Sequence, residues 1–205
     1  LAGGVVGKKV GEGFYRYTDG KALVPAEPAV PTVAELPPVW VPPRAARRAE
    51  LYQLLKDLGA TIETAARPSE QALILVAPLG HDVTTVAAVE QLDPARVVGI
   101  DMMLPDSATK RRVLATNPAT RPDMRDAAHA LLARDGKPVS VVRDSGGFVT
   151  QRVVATIVNI AADICQQGIC TPKDLEVAVT LGLGYPMGPL AMGDLVGPAS
   201  VLEIL

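Results

Sequence analysis

Three side chains that could take part in acid–base chemistry lie where the sequence predicts the ends of strands: His81, Asp82 and Asp101. A histidine beside a carboxylate could act as a general base, because the carboxylate orients the imidazole and stabilises its charged form. The simpler alternative, which the sequence favours, is that His81 is a solvated loop residue. An aspartate with an ordinary pKa near ~4 is a poor base for an alcohol, and the sequence shows no partner that would tune Asp101.

The elements that would position these residues come from the segment 44–143, in which helix-like and strand-like patterns alternate. Thr120 as N-cap, with Pro122 after it, predicts the start of one of the helices. Strands that alternate with helices predict a parallel sheet with right-handed crossovers, so the fold class is α/β and this domain is a reduced, Rossmann-like one. The predicted helices cover 44–58, 83–91 and 122–134, and the predicted strands cover 60–64, 72–77, 96–100 and 138–142, with 38–41 as a candidate first strand.

Two segments precede this domain. Residues 1–24 are rich in glycine and contain an aromatic run, Phe14-Tyr15-x-Tyr17. Residues 25–43 contain seven prolines, which predicts an extended and semi-rigid linker.

The last segment, 144–205, has the pattern of a helical bundle. The apolar face over 153–164 is wider than one neighbouring helix needs. Thr171 and Pro172 open the next helix as N-cap and first residue. We expect one face of the bundle to pack on its own helices and the other on a second subunit or copy.

Composition limits the classes of function that remain. The chain has 205 residues, 48% of them apolar, and a formal net charge of -2, so it lacks the basic footprint of a nucleic-acid or anionic-membrane partner. The apolar run 153–165 is too short to span a bilayer, and we take the cytoplasm as the default compartment. Cys165 and Cys170 are expected to be free thiols, and with only His81 and His129 no histidine-based metal site is expected.

Two motifs in 144–205 carry a family resemblance. One begins at Asp144 and reads D-S-G-G-F-V-T-Q-R, and the other begins at Gly184 and reads G-Y-P-M-G-P. In this order and spacing they resemble the C-terminal domain of 3-hydroxyacyl-CoA dehydrogenases. The matching residues are Asp144, Gly147, Phe148, Arg152, Gly184, Tyr185, Pro186, Gly188, Pro189, Asp194 and Gly197.

A third motif, G-x-K-x-G-x-G-F-Y-x-Y from Gly7, resembles the segment that closes members of this family, although here it lies upstream of the helices. The resemblance therefore implies a longer parent with two tandem copies. In that interpretation 1–24 is the closing tail of a preceding helical domain and 25–43 is a linker. The degenerate Rossmann-like domain covers 44–143, and the all-α domain of the C-terminal type covers 144–205.

The resemblance also implies where catalytic residues should lie. The family oxidises the 3-hydroxyl group of an acyl-CoA with NAD, using a histidine base that a glutamate orients. When the chain is aligned with the motifs of the family, Asp101 lies at the position of the base and Val113 at the position of the glutamate. Gln151 lies at the position of an asparagine that contacts the substrate. The hydroxyl-bearing residues of the family fall on 77–81, where they are missing. We therefore expect no catalytic residue here, and Gln151 is the only candidate substrate contact.

The expected cofactor site is also incomplete. A dinucleotide domain needs a glycine-rich turn after its first strand, so that backbone amides can approach the pyrophosphate. The aligned turn positions hold Pro43, Ala45 and Arg48. Glu63 lies near the position of the ribose-binding acid, but is more simply a solvated carboxylate at a strand end. We expect NAD in the parent, and neither NAD nor a metal in this chain.

The resemblance leads to one expectation and two alternatives for function. The parent is expected to be an NAD-dependent 3-hydroxyacyl-CoA (3-hydroxybutyryl-CoA) dehydrogenase that acts on acyl-CoA, with this half as a non-catalytic pseudo-subunit. On its own the chain is expected to form a homodimer through the helical domain. It could instead bind acyl-CoA without turnover, or be a re-purposed active dehydrogenase in which His81 and Asp101 form a rebuilt site.

Overall fold

The computed structural model describes residues 7–205, and its main element is a six-stranded sheet. A hairpin of β1 (Tyr17–Thr18) and β2 (Lys21–Ala22) precedes the sheet. The sheet strands are β3 (Val39–Trp40), β4 (Ile62–Glu63), β5 (Leu73–Val76), β6 (Val97–Ile100), β7 (Arg112–Thr116) and β8 (Val139–Arg143). Their order is β4-β3-β5-β6-β7-β8, so the candidate strand at 38–41 is confirmed and lies between β4 and β5.

The sheet is mixed, and the expectation of a wholly parallel sheet was wrong at one pair. β6 and β7 run antiparallel, with Gly99 opposite Ala115, while the other neighbours are parallel. The sequence analysis did not predict β7 as a strand. The connection from β6 to β7, residues 101–111, is too short for the helix that a parallel crossover needs. The chain therefore turns back beside β6.

Helices cover both faces of the sheet. They are α1 (Arg48–Asp57), α2 (Val83–Val89) and α3 (Pro122–Leu132). The leucines of α1 are buried together with α3 on one face, and α2 packs on the other with Trp40 and Phe148. Gly59, at φ +69°, ends the first helical segment as its sequence predicts.

The third helix begins at Pro122, but Thr120 is not its N-cap. Arg121 occupies that position, and the Thr120 hydroxyl donates instead to the carbonyl of Val97 at 2.9 Å. The hydroxyl thus fixes the loop to β6. A tertiary contact has displaced the local capping preference.

The helical domain contains α4 (Thr150–Gln166), α5 (Pro172–Val177), α6 (Pro189–Val196) and α7 (Pro198–Ile204). The predicted cap of α5 is confirmed, since Thr171 Oγ1 accepts from Asp174 N at 3.2 Å. The motif G-Y-P-M-G-P forms the loop before α6, and its last residue, Pro189, is the first residue of that helix. The buried cluster of this domain is small and contains Ala155, Val158 and Val201, with partly buried residues such as Val154 and Met192 packed against it.

The N-terminal hairpin leaves the aromatic run on the surface, with Phe14 and Tyr15 exposed. Residues 1–6 of the predicted closing tail lie outside the described residues. Within 7–205, no helix has both the length and the apolar character needed to cross a membrane.

Candidate functional site

The carboxyl ends of β3, β5 and β6 border a cleft of about 610 Å³. Its floor and walls include Val76, Met102 and Met103, and residues of α7 such as Ser200 close one side. The two strands that follow β3 in the chain, β4 and β5, lie on opposite sides of it in the sheet. β3 is therefore next to the point at which the strand order reverses. Ligands of open α/β sheets bind at such a point, which makes this cleft the candidate functional site.

In the turn between β3 and α1, two backbone amides donate hydrogen bonds to carbonyl groups of the protein. Ala45 N donates to the carbonyl of Pro42 at 3.2 Å, and Ala46 N donates to that of Ala77 at 2.8 Å. Arg48 lies over the ring of Tyr52, 4.5 Å from its centroid, and donates to the Tyr52 hydroxyl. Two amides of this turn are therefore engaged, and the positions at which the family has glycines carry side chains in place of the open space that a pyrophosphate needs.

Glu63, the candidate for the ribose-binding position, is occupied elsewhere. Its carboxylate accepts hydrogen bonds from the backbone N–H and the hydroxyl of Ser69. It closes a surface loop after β4 and does not line the cleft.

Asp101 lies just after β6 and is tied to its surroundings. Its Oδ1 accepts from Gln151 Nε2 at 2.9 Å and from Met103 N at 3.0 Å. Its own N–H donates to the carbonyl of Val113 at 3.0 Å. Burial raises the pKa of the Asp101 carboxyl, and the hydrogen bonds from Gln151 and Met103 oppose that shift.

Gln151, on the first turn of α4, is fully buried and connects the two domains. Its Oε1 accepts from Gly80 N at 2.9 Å, and its Nε2 donates to the carbonyl of Pro78 at 3.1 Å as well as to Asp101. The structure thus brings together Asp101, Gln151 and the backbone of Val113, which the family register had selected separately. No local sequence pattern indicates this network, because the partners of Gln151 are 50 to 73 residues away from it in the chain.

His81 and Asp82 do not join this network. His81 is exposed at the rim of the cleft, and Asp82 caps α2 by accepting from Thr85 N at 2.6 Å. Among residues 7–205, His81 makes no hydrogen bond to Asp82 or Asp101, and no group of three potential metal-ligating side chains is found.

The turn that opens the helical domain is held against the sheet domain. The Asp144 carboxylate accepts from Val83 N at 2.7 Å and from Thr84 N at 2.8 Å, at the start of α2. Arg152 donates to the carbonyl of Gly146 at 2.7 Å and closes the turn. The motif D-S-G-G-F-V-T-Q-R is therefore a structural joint between the domains.

An ion cluster around the buried Arg112, beside the sheet, was also not predicted from the sequence. The Arg112 guanidinium bonds to both Asp106 and Asp135, and Lys137 Nζ donates to Asp106 at 2.8 Å. The hydrogen bond from Arg112 holds the pKa of Asp135 at about 2. Burial raises the pKa of Asp106, but the hydrogen bonds from Arg112 and Lys137 outweigh it and lower that pKa. The only sequence signal for this cluster is the run of three basic residues, 110–112, at the start of β7.

The fold and the cleft define a class of protein: an α/β domain with a six-stranded mixed sheet, joined through a buried network to a helical domain. Residues 147–205 match the family of the 3-hydroxyacyl-CoA dehydrogenase C-terminal domain. The chain is 27% identical over 207 residues to the 3-hydroxyadipyl-CoA dehydrogenase of Escherichia coli (strain K12), an alignment that covers 100% of this chain and 37% of that protein. It is 35% identical over 127 residues to a probable 3-hydroxybutyryl-CoA dehydrogenase of Bacillus subtilis (strain 168), covering 60% of this chain and 42% of that protein.

Solved structures share the fold. The structure of 3-hydroxybutyryl-CoA dehydrogenase from Escherichia coli K12 superposes with a TM-score of 0.69 at 24% identity, over 99% of this chain and 37% of that chain. The (S)-3-hydroxybutyryl-CoA dehydrogenase from Ralstonia eutropha has a TM-score of 0.62 at 23% identity, over 81% of this chain and 56% of that chain. Residues 147–205 thus match the C-terminal domain of the 3-hydroxyacyl-CoA dehydrogenase family, and the chain as a whole is similar to dehydrogenases of this name. It spans less than two thirds of the length of these relatives.

Proposed function

We propose that this chain is the non-catalytic second half of a tandem 3-hydroxyacyl-CoA dehydrogenase, in which it serves as a built-in partner for the first copy. The observation that carries the proposal is the contact between Asp101 and Gln151, 2.9 Å apart at the positions of the family's base and substrate-contacting asparagine. The orienting glutamate is replaced by Val113, an apolar residue. A buried aspartate that already accepts two hydrogen bonds is a weak base for an alcohol.

The β3–α1 turn supports the same proposal. NAD does not fit the residues present, because the amides of Ala45 and Ala46 are used internally and the aligned positions carry side chains. We therefore assign no step of a hydride-transfer reaction to this chain. In the parent, the NAD site and the catalytic residues would belong to the first copy, which would oxidise a 3-hydroxyacyl-CoA as part of fatty acid or acyl-CoA catabolism.

The lengths of the relatives support the tandem arrangement. The Escherichia coli protein aligns with all of this chain, including the glycine-rich start and the linker, in 37% of its own length. The 3-hydroxybutyryl-CoA dehydrogenase of Clostridioides difficile aligns with 75% of the chain in 60% of its length. If this chain joins the end of one copy to the second copy, it would align along its whole length with a two-copy protein and only in part with a shorter, single-copy one.

The helical domain offers a surface on which the two halves could pair. Its own core is small, and several of its large apolar side chains are exposed. They are Val153, Ile160, Val177, Leu181, Leu183 and Leu195. Large apolar side chains exposed in this number on one small domain favour an interface. We propose that it covers the first copy in the parent, and that it pairs with a second molecule when this chain is alone.

The size of the cleft favours a second candidate, an acyl-CoA-binding module without turnover. About 610 Å³ is within the range of small-molecule sites. Its rim includes Arg44, an exposed cation that could contact a phosphate. This candidate needs a ligand that makes no use of the amides of the turn.

Titration of the isolated chain with NADH and, separately, with acetoacetyl-CoA distinguishes these functions. The pseudo-subunit binds neither one, so NADH fluorescence should show no saturable change at millimolar concentration. Saturable binding of acetoacetyl-CoA alone would support the binding module. Micromolar binding of NADH would contradict the proposal and support the third alternative, a re-purposed dehydrogenase.

A further inference from the structure

Gly80, in the loop between β5 and α2, is held by the helical domain from two directions. Its N–H donates to Oε1 of Gln151, on α4, at 2.9 Å. A Cβ added at Gly80 would lie 2.5 Å from the carbonyl oxygen of Glu203 and 2.9 Å from Cα of Ile204, on α7. The backbone of this loop is therefore in direct contact with the last helix, and its φ of +74° also favours glycine.

The side-chain amide of Gln151 satisfies three partners of the sheet domain. Besides Gly80, it donates to the carbonyl of Pro78 at 3.1 Å and to the carboxylate of Asp101 at 2.9 Å. Pro78 and Asp101 follow two neighbouring strands, β5 and β6. Because the amide is fully buried, any motion that separated the domains would break all three hydrogen bonds together.

Besides the joint, which begins at Asp144 and includes Phe148, the helical domain contacts the sheet domain through Gln151 and α7. Its buried cluster contains three residues, and much of its apolar surface is exposed. Gly146, in the joint between the domains, also lies against Gly80: a Cβ there would be 3.1 Å from the Gly80 carbonyl oxygen. Contacts from α4, α7 and the joint thus meet at one glycine.

We infer that Gln151 and Gly80 form an interdomain clasp, which holds the helical domain on the sheet domain and keeps the cleft at a fixed width. We use this name for the three hydrogen bonds of Gln151 and the contact between Gly80 and α7. The position that corresponds to a substrate contact in the family here serves to fix the domains. The clasp concerns the motion of the domains and goes beyond the proposed function, because it holds whichever ligand the cleft accepts.

Amide hydrogen exchange, followed by NMR at each residue, tests the clasp directly. Gln151 is the hydrogen-bond acceptor of the Gly80 N–H, so the protection of this amide reports whether the clasp is closed. In the unmodified protein we expect Gly80 to exchange far more slowly than an exposed loop amide. In Gln151→Met, which keeps the length of the side chain, we expect Gly80 to lose at least about tenfold of its protection, the equivalent of one ordinary hydrogen bond.

The control is Gln167→Met, at the residue that follows the end of α4, where the side chain is exposed and bonds only to Asp163. It should leave the exchange of Gly80 unchanged. The amides of β5 should keep their protection in both variants. An equal loss in β5 and at Gly80 would show that Gln151 supports the whole fold and would contradict the clasp.

Two further results decide the proposal without the Gln151 variant. Exchange of Gly80 at the rate of an exposed loop, in the unmodified protein, overturns it even if Gln151→Met does not fold. Gly80→Ala should displace α7 and reduce the protection of its amides by at least about tenfold, with β5 unaffected. Unchanged exchange in α7 would exclude the second contact of the clasp.

Discussion

The carboxylate of Glu176 fills the space that a side chain at Gly188 would occupy. A Cβ added at Gly188 would lie 1.8 Å from Glu176 Oε2. The other oxygen, Oε1, accepts from Leu190 N at 2.8 Å, at the start of α6. The glycine of G-Y-P-M-G-P is thus needed so that an acid from α5 can cap the next helix.

Gly188→Ala should therefore destabilise the protein. The methyl group forces Glu176 away and leaves Leu190 N without its acceptor, at a cost of about 1–2 kcal/mol in the free energy of unfolding. Urea unfolding measures the change. Gly182→Ala is the matched control, because a Cβ there meets nothing within 4 Å and the glycine does not need a positive φ. A similar loss in both variants would contradict the assigned role of Glu176.

Asp101→Ala in the full-length parent should leave kcat/KM for 3-hydroxybutyryl-CoA within a few-fold of the unmodified value. The reason is that Asp101 is bonded to Gln151 and Met103 and has no catalytic partner. Removing a general base typically lowers the rate by ~10²–10⁴. A decrease of that size, with the parent still folded by circular dichroism, would show that this half is catalytic. Asp57→Ala, on α1, controls for the loss of a surface carboxylate.

Ile160→Asp should convert a dimer of the isolated chain into a folded monomer. Ile160 is exposed on α4, on the surface that we propose as the interface, and an unpaired charge buried there would be very costly. Ile157→Asp should act in the same direction, whereas Val158 points inward against Gly193 and its substitution should unfold the domain. Light scattering at tens of micromolar measures the mass.

Val89→Asp is the matched control for this substitution, since Val89 is an exposed valine on α2 in the sheet domain and should not change the mass. A monomer mass for the unmodified chain would refute pairing through the helical surface.

Asp135→Asn should weaken the dependence of stability on pH in the acid range. The folded-state pKa of Asp135, about 2, is lower than its unfolded value near ~4. The unfolded state therefore binds the proton more readily, and the stability that Asp135 supplies above pH ~4 is lost as the pH falls towards about 2. Thermal unfolding between pH 7 and pH 2.5 should show a shallower decrease in the variant. An unchanged slope would mean that the ion pair with Arg112 contributes nothing in solution.

Local patterns in the sequence predicted most of the sheet domain. The leucines of α1 recur on one face and are buried, and the continuous apolar run of β5 is buried on both sides. The antiparallel pairing of β7 with β6 follows from the length of the connection between them, and not from the hydrophobic pattern of either strand. Thr120 has the local pattern of a cap, but its hydroxyl binds a strand more than twenty residues away.

The candidate site depended almost wholly on long-range contacts. The family register located Asp101 and Gln151 one at a time, and only the fold brings them to 2.9 Å. No periodicity in the sequence could have indicated that a buried glutamine amide would link two strand ends to a helix. The spacing of Asp101 and Gln151 is the same whether these positions are catalytic or structural, so the spacing alone does not distinguish the two roles.

Phe148 belongs to the helical segment in sequence but to the sheet domain in packing, so the two domains cannot be separated by ending the chain between them. It lies within the joint that begins at Asp144, yet its ring is buried in the core of the sheet domain, 3.3 Å from where a Cβ of Gly99 would be. A chain ended at Arg143 would leave a cavity the size of a phenyl ring beside β6 and expose the apolar residues around it. A gene rearrangement that exchanged the helical domain would therefore have to keep Phe148 together with the sheet domain. A break in the gene at the domain boundary itself would leave the core of the sheet domain incomplete.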